Sequence, residues 1–269
     1  MAKIRQPAFA GAFYPSNKEN LQSMIDDFLN HAPKITINGR LKGLIVPHAG
    51  YVYSGIVAGA GFNLLKNLNQ NKKWKVLLLG PSHSVMFNGA AASEADIWKT
   101  PLGDVPTKNV LDEIPDSNLI FASDESMQQE HSLEVEVPFL QSVLKDFDLY
   151  PLCLGDVNPQ LLAKDLKNFV QRDDVIVVVS SDLSHYYTYD EAKQLDDFAN
   201  KYIPRIAINE VRDRVEACGV TGILVLLHLA DMLSLQGHLV DYKNSGDTAG
   251  DKSQVVGYGC YAFNKQNLS

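Results

Sequence analysis

The sequence predicts an α/β protein, a three-layer α/β/α sandwich built on a mostly parallel or mixed sheet. Short, continuous apolar runs rich in Val, Ile and Leu, closed by Gly, Pro or Ser, suit strands covered on both faces. Segments with helical apolar spacing alternate with them, which places helices on both sides of the sheet. No repeat, low-complexity tract or Pro/Gly/Ser linker interrupts this pattern, so residues 1–269 read as one domain. With 45% hydrophobic and 21% charged residues the composition is ordinary for a globular chain, and the length is enough to bury most of the apolar surface without staples.

In chain order, the first strand is expected at 41–46 and a helix at 56–68. A second strand falls at 75–79. A helix at 133–147 follows Ser132, a plausible N-cap, and carries Glu134 in its first turn, where the helix dipole favours an acid. A weaker strand occupies 149–154. The helix Pro159–Val170 opens with proline at a favourable first position. The clearest strand, 174–179, comes next. Helices at 190–208 and 219–235 and strands at 238–242 and 255–263 complete the chain.

Composition also excludes. The net charge is −8, and the Lys72-Lys73 pair is too short to form a basic stripe, which disfavours nucleic acid and anionic membranes as partners. No apolar run reaches the length of a bilayer span. The first residues, Met1-Ala2-Lys3-Ile4-Arg5-Gln6-Pro7, lack the apolar segment of an export signal. The three cysteines, Cys153, Cys218 and Cys260, make no disulfide framework, so reduced thiols and a cytoplasmic location are expected.

In parallel α/β sheets ligands sit beyond the carboxyl ends of the strands. Three strong strands each deliver a histidine there. Val46-Pro47 leads to His48, Gly80-Pro81-Ser82 to His83, and Ser180-Ser181-Asp182-Leu183-Ser184 to His185. One loop histidine alone is more often a hydrogen-bonded structural group than a ligand. Three in equivalent positions point to a shared site, and imidazole is both a common metal ligand and a general base near neutral pH. Glu130 and His131 form a further candidate, either facing the same crevice or capping the helix that follows. Cys218, in Ala217-Cys218-Gly219-Val220-Thr221-Gly222, stands at a helix entry, which is expected to stabilise its thiolate. Cys153 and Cys260 read as small buried apolar residues. His31 falls in a helix-end loop, His228 in a core helix and His238 at an edge strand, and none is assigned chemistry.

The segment His48-Ala49-Gly50-Tyr51-Val52-Tyr53-Ser54-Gly55 resembles the Memo family, also called AmmeMemoRadiSam system protein B in bacteria. Supporting matches are Gly11-Ala12-Phe13-Tyr14-Pro15, Leu79-Gly80-Pro81-Ser82-His83, Glu130-His131-Ser132-Leu133-Glu134 and Ser180-Ser181-Asp182-Leu183-Ser184-His185-Tyr186. The similarity runs from about residue 5 to about residue 263. The resemblance implies a fold like that of class III extradiol dioxygenases, with His48 and His83 as metal ligands, Cys218 where those enzymes hold a carboxylate ligand, and His185 where they hold a catalytic histidine. Memo proteins are described as copper- or iron-binding redox proteins and, in animal signalling, as phosphotyrosine-peptide binders; nothing in the sequence shows a signalling partner. Two His and a carboxylate make the open triad of iron oxygenases, whereas a thiolate softens the site towards copper or zinc.

Three functions are therefore expected to compete. The first is a metal-dependent redox enzyme in which His185, oriented by Asp182 or Glu130, moves protons. The second is a non-catalytic module holding a small molecule or peptide in the crevice, with Tyr51, Tyr53, Tyr186 and Tyr187 as contacts or as rim packing. The third is zinc-assisted hydrolysis. In every case His48, His83, His185 and Cys218 are expected within roughly 10 Å of one another.

Overall fold

The computed structural model describes residues 2–266. Its elements are β1 (Ile4–Arg5), α1 (Lys18–Asn30), β2 (Arg40–Val46), α2 (Tyr51–Leu65), β3 (Trp74–Pro81), β4 (Ala90–Ala92), β5 (Ile97–Thr100), β6 (Gly103–Pro106), β7 (Ile120–Ala122), α3 (Glu125–Gln128), α4 (His131–Glu134), α5 (Val137–Val143), β8 (Phe147–Leu154), α6 (Pro159–Val170), β9 (Val175–Ser180), β10 (His185–Tyr187), α7 (Tyr189–Tyr202), α8 (Ile208–Arg214), α9 (Val220–Met232), β11 (Gln236–Asn244), α10 (Ser245–Thr248) and β12 (Val255–Lys265).

The main sheet is mixed. Its centre is the parallel set β2-β9-β3-β8. On one side β12 runs antiparallel to β2 and pairs antiparallel with β10 and β11. On the other side β4 pairs antiparallel with β8 and parallel with β7. A separate small sheet joins β1, β5 and β6.

Alternation along each central strand divides the core in two, because successive side chains point to opposite faces. Leu44, Val46, Val76, Leu78, Ile176 and Val178 pack with α1, α2 and α5. Ile45, Leu77, Leu79, Val175, Val177 and Val179 pack with α6, α7 and α9. This is the three-layer α/β/α arrangement. It also explains why the strands read as unbroken apolar runs: neither face meets water.

The boundaries depart from the sequence expectation for identifiable reasons. Helix α2 begins at Tyr51 rather than 56, because its glycines serve close packing: a Cβ at Gly59 would meet Phe28 Cβ at 2.8 Å, and one at Gly55 would overlap the Phe28 ring of α1. The single helix expected at 133–147 is two short ones. Pro138, in the first turn of α5, has no N–H to give to the preceding turn and ends its continuity. The cap of α4 is Glu130, not Ser132: its carboxylate accepts the Ser132 N–H at 2.9 Å. Helix α7 stops at Tyr202 ahead of Pro204, and α8 follows as a separate piece. Helix α6 spans the expected residues, with Asn158 as its N-cap. The short strands β1 and β4–β7, and helix α1, have no counterpart in the sequence reading. His228 lies on a partly exposed helix face rather than in the core. Among the described residues no helix is long and apolar enough to cross a membrane.

Candidate metal centre

The three adjacent parallel strands β2, β9 and β3 end at the same edge of the sheet, and the chain leaves each one through the candidate site. His48 follows β2 and Pro47. His83 follows Pro81, the last residue of β3. Asp182 and His185 follow β9. Cys218 precedes α9, and His131 opens α4.

His48 is buried, 2% exposed, and its Nε2 lies 3.2 Å from Cys218 Sγ. The His48 ring is 5.2 Å from that of His83 and 5.3 Å from that of His131. His83 and His131 stack at 4.6 Å with an interplanar angle of 21°. One ligating atom each from His48, His83 and Cys218 lies within 4.8 Å of the others, and so does one each from His83, Glu130 and His131. His185 belongs to neither group. It does stand within electrostatic reach of both His48 and His83. The structure thus gathers the histidines, Glu130 and Cys218 at one edge, with His185 beside the cluster.

Groups behind the rings fix their orientation. His48 Nδ1 meets Ser180 Oγ at 2.7 Å. Ser180 Oγ also lies 2.5 Å from the Ser132 carbonyl and 2.9 Å from Glu136 Oε1. A hydroxyl has one proton to give and two lone pairs to fill. Ser180 donates to the Ser132 carbonyl, so its lone pairs can take the Nδ1–H of His48 and the acid proton of Glu136. Glu136 is suited to keep that proton, because burial, reinforced by nearby Asp182 and opposed by the Ser180 hydrogen bond, pushes it well above the usual carboxyl range. In this arrangement the Nε2 lone pair of His48 faces Cys218.

Glu130 performs the same task for the other two rings. Its Oε1 is 2.8 Å from His83 Nδ1 and 3.5 Å from His131 Nδ1, and its Oε2 accepts the His83 N–H. Burial opposes ionisation of Glu130. The hydrogen bonds from the His83 ring, the His83 N–H and the Ser132 N–H outweigh burial and hold it at about 2. His131 is backed on its far side by Phe13 at 4.6 Å and Phe9 at 5.5 Å.

Two expectations are corrected here. Asp182 does not pair with His185: its Oδ1 accepts the His48 N–H at 2.8 Å, and the Ala49 N–H adds to it. Glu130 serves His83 and His131, so neither acid orients His185, whose ring meets the Leu183 carbonyl instead. Nor is the Cys218 thiolate stabilised in the free chain. Burial, then the Asp182 charge, push its thiol up to about 12 against the N–H groups of Asp182 and Gly219 and the Ser181 hydroxyl. Helix α9 starts only at Val220, so Cys218 sits before the turn whose dipole was expected to help it.

The donor set fits a metal ion. Burial, then the neighbouring histidines, push His48 well below its usual value, which keeps it neutral as ligation requires. The Nδ1 atoms of His48 and His83 are engaged by Ser180 and Glu130, and Nε2 of His83 has no protein partner among the described residues. A cation would also supply the charge that the half-buried Cys218 thiolate lacks. Beside Cys218 a cavity of about 540 Å³, with Ser82, Met86, Phe87, Asp156 and Thr221 in its wall, provides room for a ligand.

The sequence assigned no part in the site to Ser180, Glu136 or Ser132, the last being read only as a helix cap. The one available signal was Glu136 itself, an acid inside the otherwise apolar stretch Val135-Glu136-Val137.

Fold and site together define a mixed-sheet α/β protein with a His₂Cys cluster capable of holding a metal at the carboxyl edge of its parallel strands. The family model for "Memo-like protein" matches residues 5–262. A MEMO1 family protein of Aquifex aeolicus is 35% identical over 271 residues, covering 95% of this chain and 97% of that one. A MEMO1 family protein of Thermoplasma volcanium is 34% identical over 270 residues, covering 95% and 96%. The chain belongs to the Memo family. In fold it is also similar to the crystal structure of an uncharacterised Escherichia coli K12 protein, JW3007, with a TM-score of 0.52 at 10% identity, covering 84% of this chain and 100% of that one.

Proposed function

We propose that this protein is a metal-dependent redox protein whose centre is held by His48, His83 and Cys218. The observation that carries the reading is the convergence of these three donors within 4.8 Å, with the far nitrogen of each imidazole already anchored. Two imidazoles and a thiolate form a borderline-to-soft set, so copper or iron is the proposed cofactor and zinc the non-redox alternative. Such an ion, when bound, supplies a redox-active or Lewis-acidic centre.

The rest of the work falls to the chain's own residues. Glu130 holds the His83 and His131 rings in place. Ser180 holds that of His48. His185 and His131 are the proposed proton carriers, because burial pushes both below the usual histidine range and leaves them neutral, able to accept a proton at neutral pH. Asp182 keeps the His48 backbone in position, a supporting part in the chemistry. The substrate is proposed to be a small molecule or peptide entering this crevice, in an enzyme of dioxygenase-like fold acting in the cytoplasm, with neither nucleic acid nor membrane as partner. The competing reading is a ligand that is bound but not transformed; it is supported by the exposed Tyr186, whose ring lies 5.7 Å from that of His185, and by the exposed Tyr53 of α2.

Titration of the metal-stripped chain with Cu(II) or Co(II) tests this. A thiolate-to-metal charge-transfer band that saturates near one equivalent, and is lost in Cys218→Ser, is the expected result. Binding that produces no such band would remove Cys218 from the centre.

A further inference from the structure

The metal-capable cluster lies at one end of the sheet. At the other end, where β2 and β3 begin, there is a second cavity of about 390 Å³. Its volume lies within the range of about 300–1,000 Å³ usual for small-molecule sites. Ile37, Leu64 and Leu68 give it apolar walls, and Arg40, Lys72 and Trp74 also line it.

We propose that this cavity binds a small organic anion with a flat apolar body. Charge is the first argument. The chain as a whole is acidic, at −8, yet Arg40 and Lys72 meet at this cavity against one lining acid, Asp173. Lys42 lies close by, buried, with its ammonium satisfied by the carbonyls of Arg172 at 2.7 Å and Val175 at 2.8 Å.

The second argument is an unspent donor. Arg40, its side chain 33% exposed, commits Nη1 to Asp173 at 2.6 Å and makes no other side-chain hydrogen bond or ion pair among the described residues, which leaves the accessible donors of its guanidinium tip free for a ligand. A guanidinium presents several donors in one plane, the geometry that suits a carboxylate or phosphate. Lys72 donates to the Asp173 carbonyl at 2.8 Å while its Nζ stands 5.0 Å from the Trp74 ring centre, so cation and indole meet on one wall. An anionic head fits the Arg40–Lys72 side, and a flat body fits Trp74 and the leucines.

Carboxylate and phosphate heads share this chemistry, so the test holds the body constant and varies the head. The ¹⁵N-labelled full chain is titrated with benzoate, phenyl phosphate, benzyl alcohol and acetate. The indole N–H signal of Trp74 is the reporter, assigned by its loss in Trp74→Phe, and that of the distant Trp98 is the control. The expected result is saturable movement of the Trp74 signal alone by benzoate or phenyl phosphate. Whichever aryl anion binds more tightly identifies the head group. Benzyl alcohol, without the charge, and acetate, without the body, should bind at least tenfold more weakly. Arg40→Gln and Lys72→Gln should each weaken aryl-anion binding about tenfold, with the Trp98 signal reporting an intact fold, and Cys218→Ser should leave it unchanged. The proposal is overturned if neither aryl anion moves the Trp74 signal saturably, if benzyl alcohol binds as well as the anions, or if both substitutions leave binding unchanged.

Discussion

Ser180 carries more of the candidate centre than its position at a strand end suggests. It receives the His48 ring, gives its proton to the Ser132 carbonyl and meets Glu136, all in the buried interior. Substituting Glu136 by Ala leaves a Ser180 lone pair unmatched and loosens the His48 tautomer, whereas Gln can still donate from its amide. Glu136→Ala is therefore expected to weaken metal binding by about 10–100-fold, the scale on which such supporting groups act. Glu136→Gln should retain most of the affinity, as measured by competition with a chelating dye; equal losses in both would contradict the hub. Cys218 gives a second test at this scale. It is partly exposed, whereas Cys153 and Cys260 are buried. Its high thiol pKa makes alkylation of the metal-free chain slow, but still faster than at the other two, and bound metal should protect it. Mass-spectrometric alkylation rates that are equal for all three cysteines would argue against its place in the site. The sequence showed which histidines and which cysteine to examine, because they follow strand ends or precede a helix. It could not show Ser180 and Glu136 together: they lie 44 residues apart, and only the tertiary fold joins them.

Among the elements, the N-terminal segment does the most for the site relative to its length. Arg5 of β1 and Glu134 of α4 form an ion pair at 2.6 Å with side chains 7% and 1% exposed. Glu134 also accepts the Ala8 and Phe9 N–H groups and the Tyr14 hydroxyl. These bonds hold Phe9 and Phe13 against His131. Removing one partner of a buried pair strands the other charge, at a cost of about 3–5 kcal/mol. Arg5→Ala should lower thermal stability accordingly and release His131, read as increased NMR mobility of its ring. A small loss of stability with an unchanged His131 environment would show that the segment is not what positions it. The central strands and α6 were legible because their patterns are local. Helices α4 and α5 were merged in the sequence reading because apolar spacing continues across the break that Pro138 makes. The strand β4 went unseen because Ala90-Ala91-Ala92 has little strand character of its own and is held by β8 and β7.

Across the whole molecule, buried acids tie stability to pH. Burial, only partly offset by hydrogen bonds from Tyr242 and Ser184, raises Asp196 above its ordinary value, and Glu136 is raised in the same direction. An acid whose folded-state pKa is raised holds its proton more tightly when folded. Its contribution is fully present below the unfolded value and is lost as pH rises through the folded one. The histidines that burial lowers contribute with the opposite sign, so the Asp196 share is read by difference: in Asp196→Asn the melting temperature of the metal-free chain should fall less, or rise more, than in the unsubstituted chain as pH increases above the ordinary carboxyl range. An unchanged slope in the variant would show that Asp196 does not contribute to it.

The sandwich and the edge at which to look for chemistry were both legible in the sequence, since buried parallel strands and the residues that follow them mark themselves. Elemental analysis of untagged protein purified anaerobically tests the central claim most directly. Copper or iron at close to one equivalent per chain, falling tenfold or more in His48→Ala and Cys218→Ser while His185→Ala retains it, is the result this account predicts. Metal-free wild-type protein that also fails to take up either metal, or a metal content indifferent to His48 and Cys218, would contradict it.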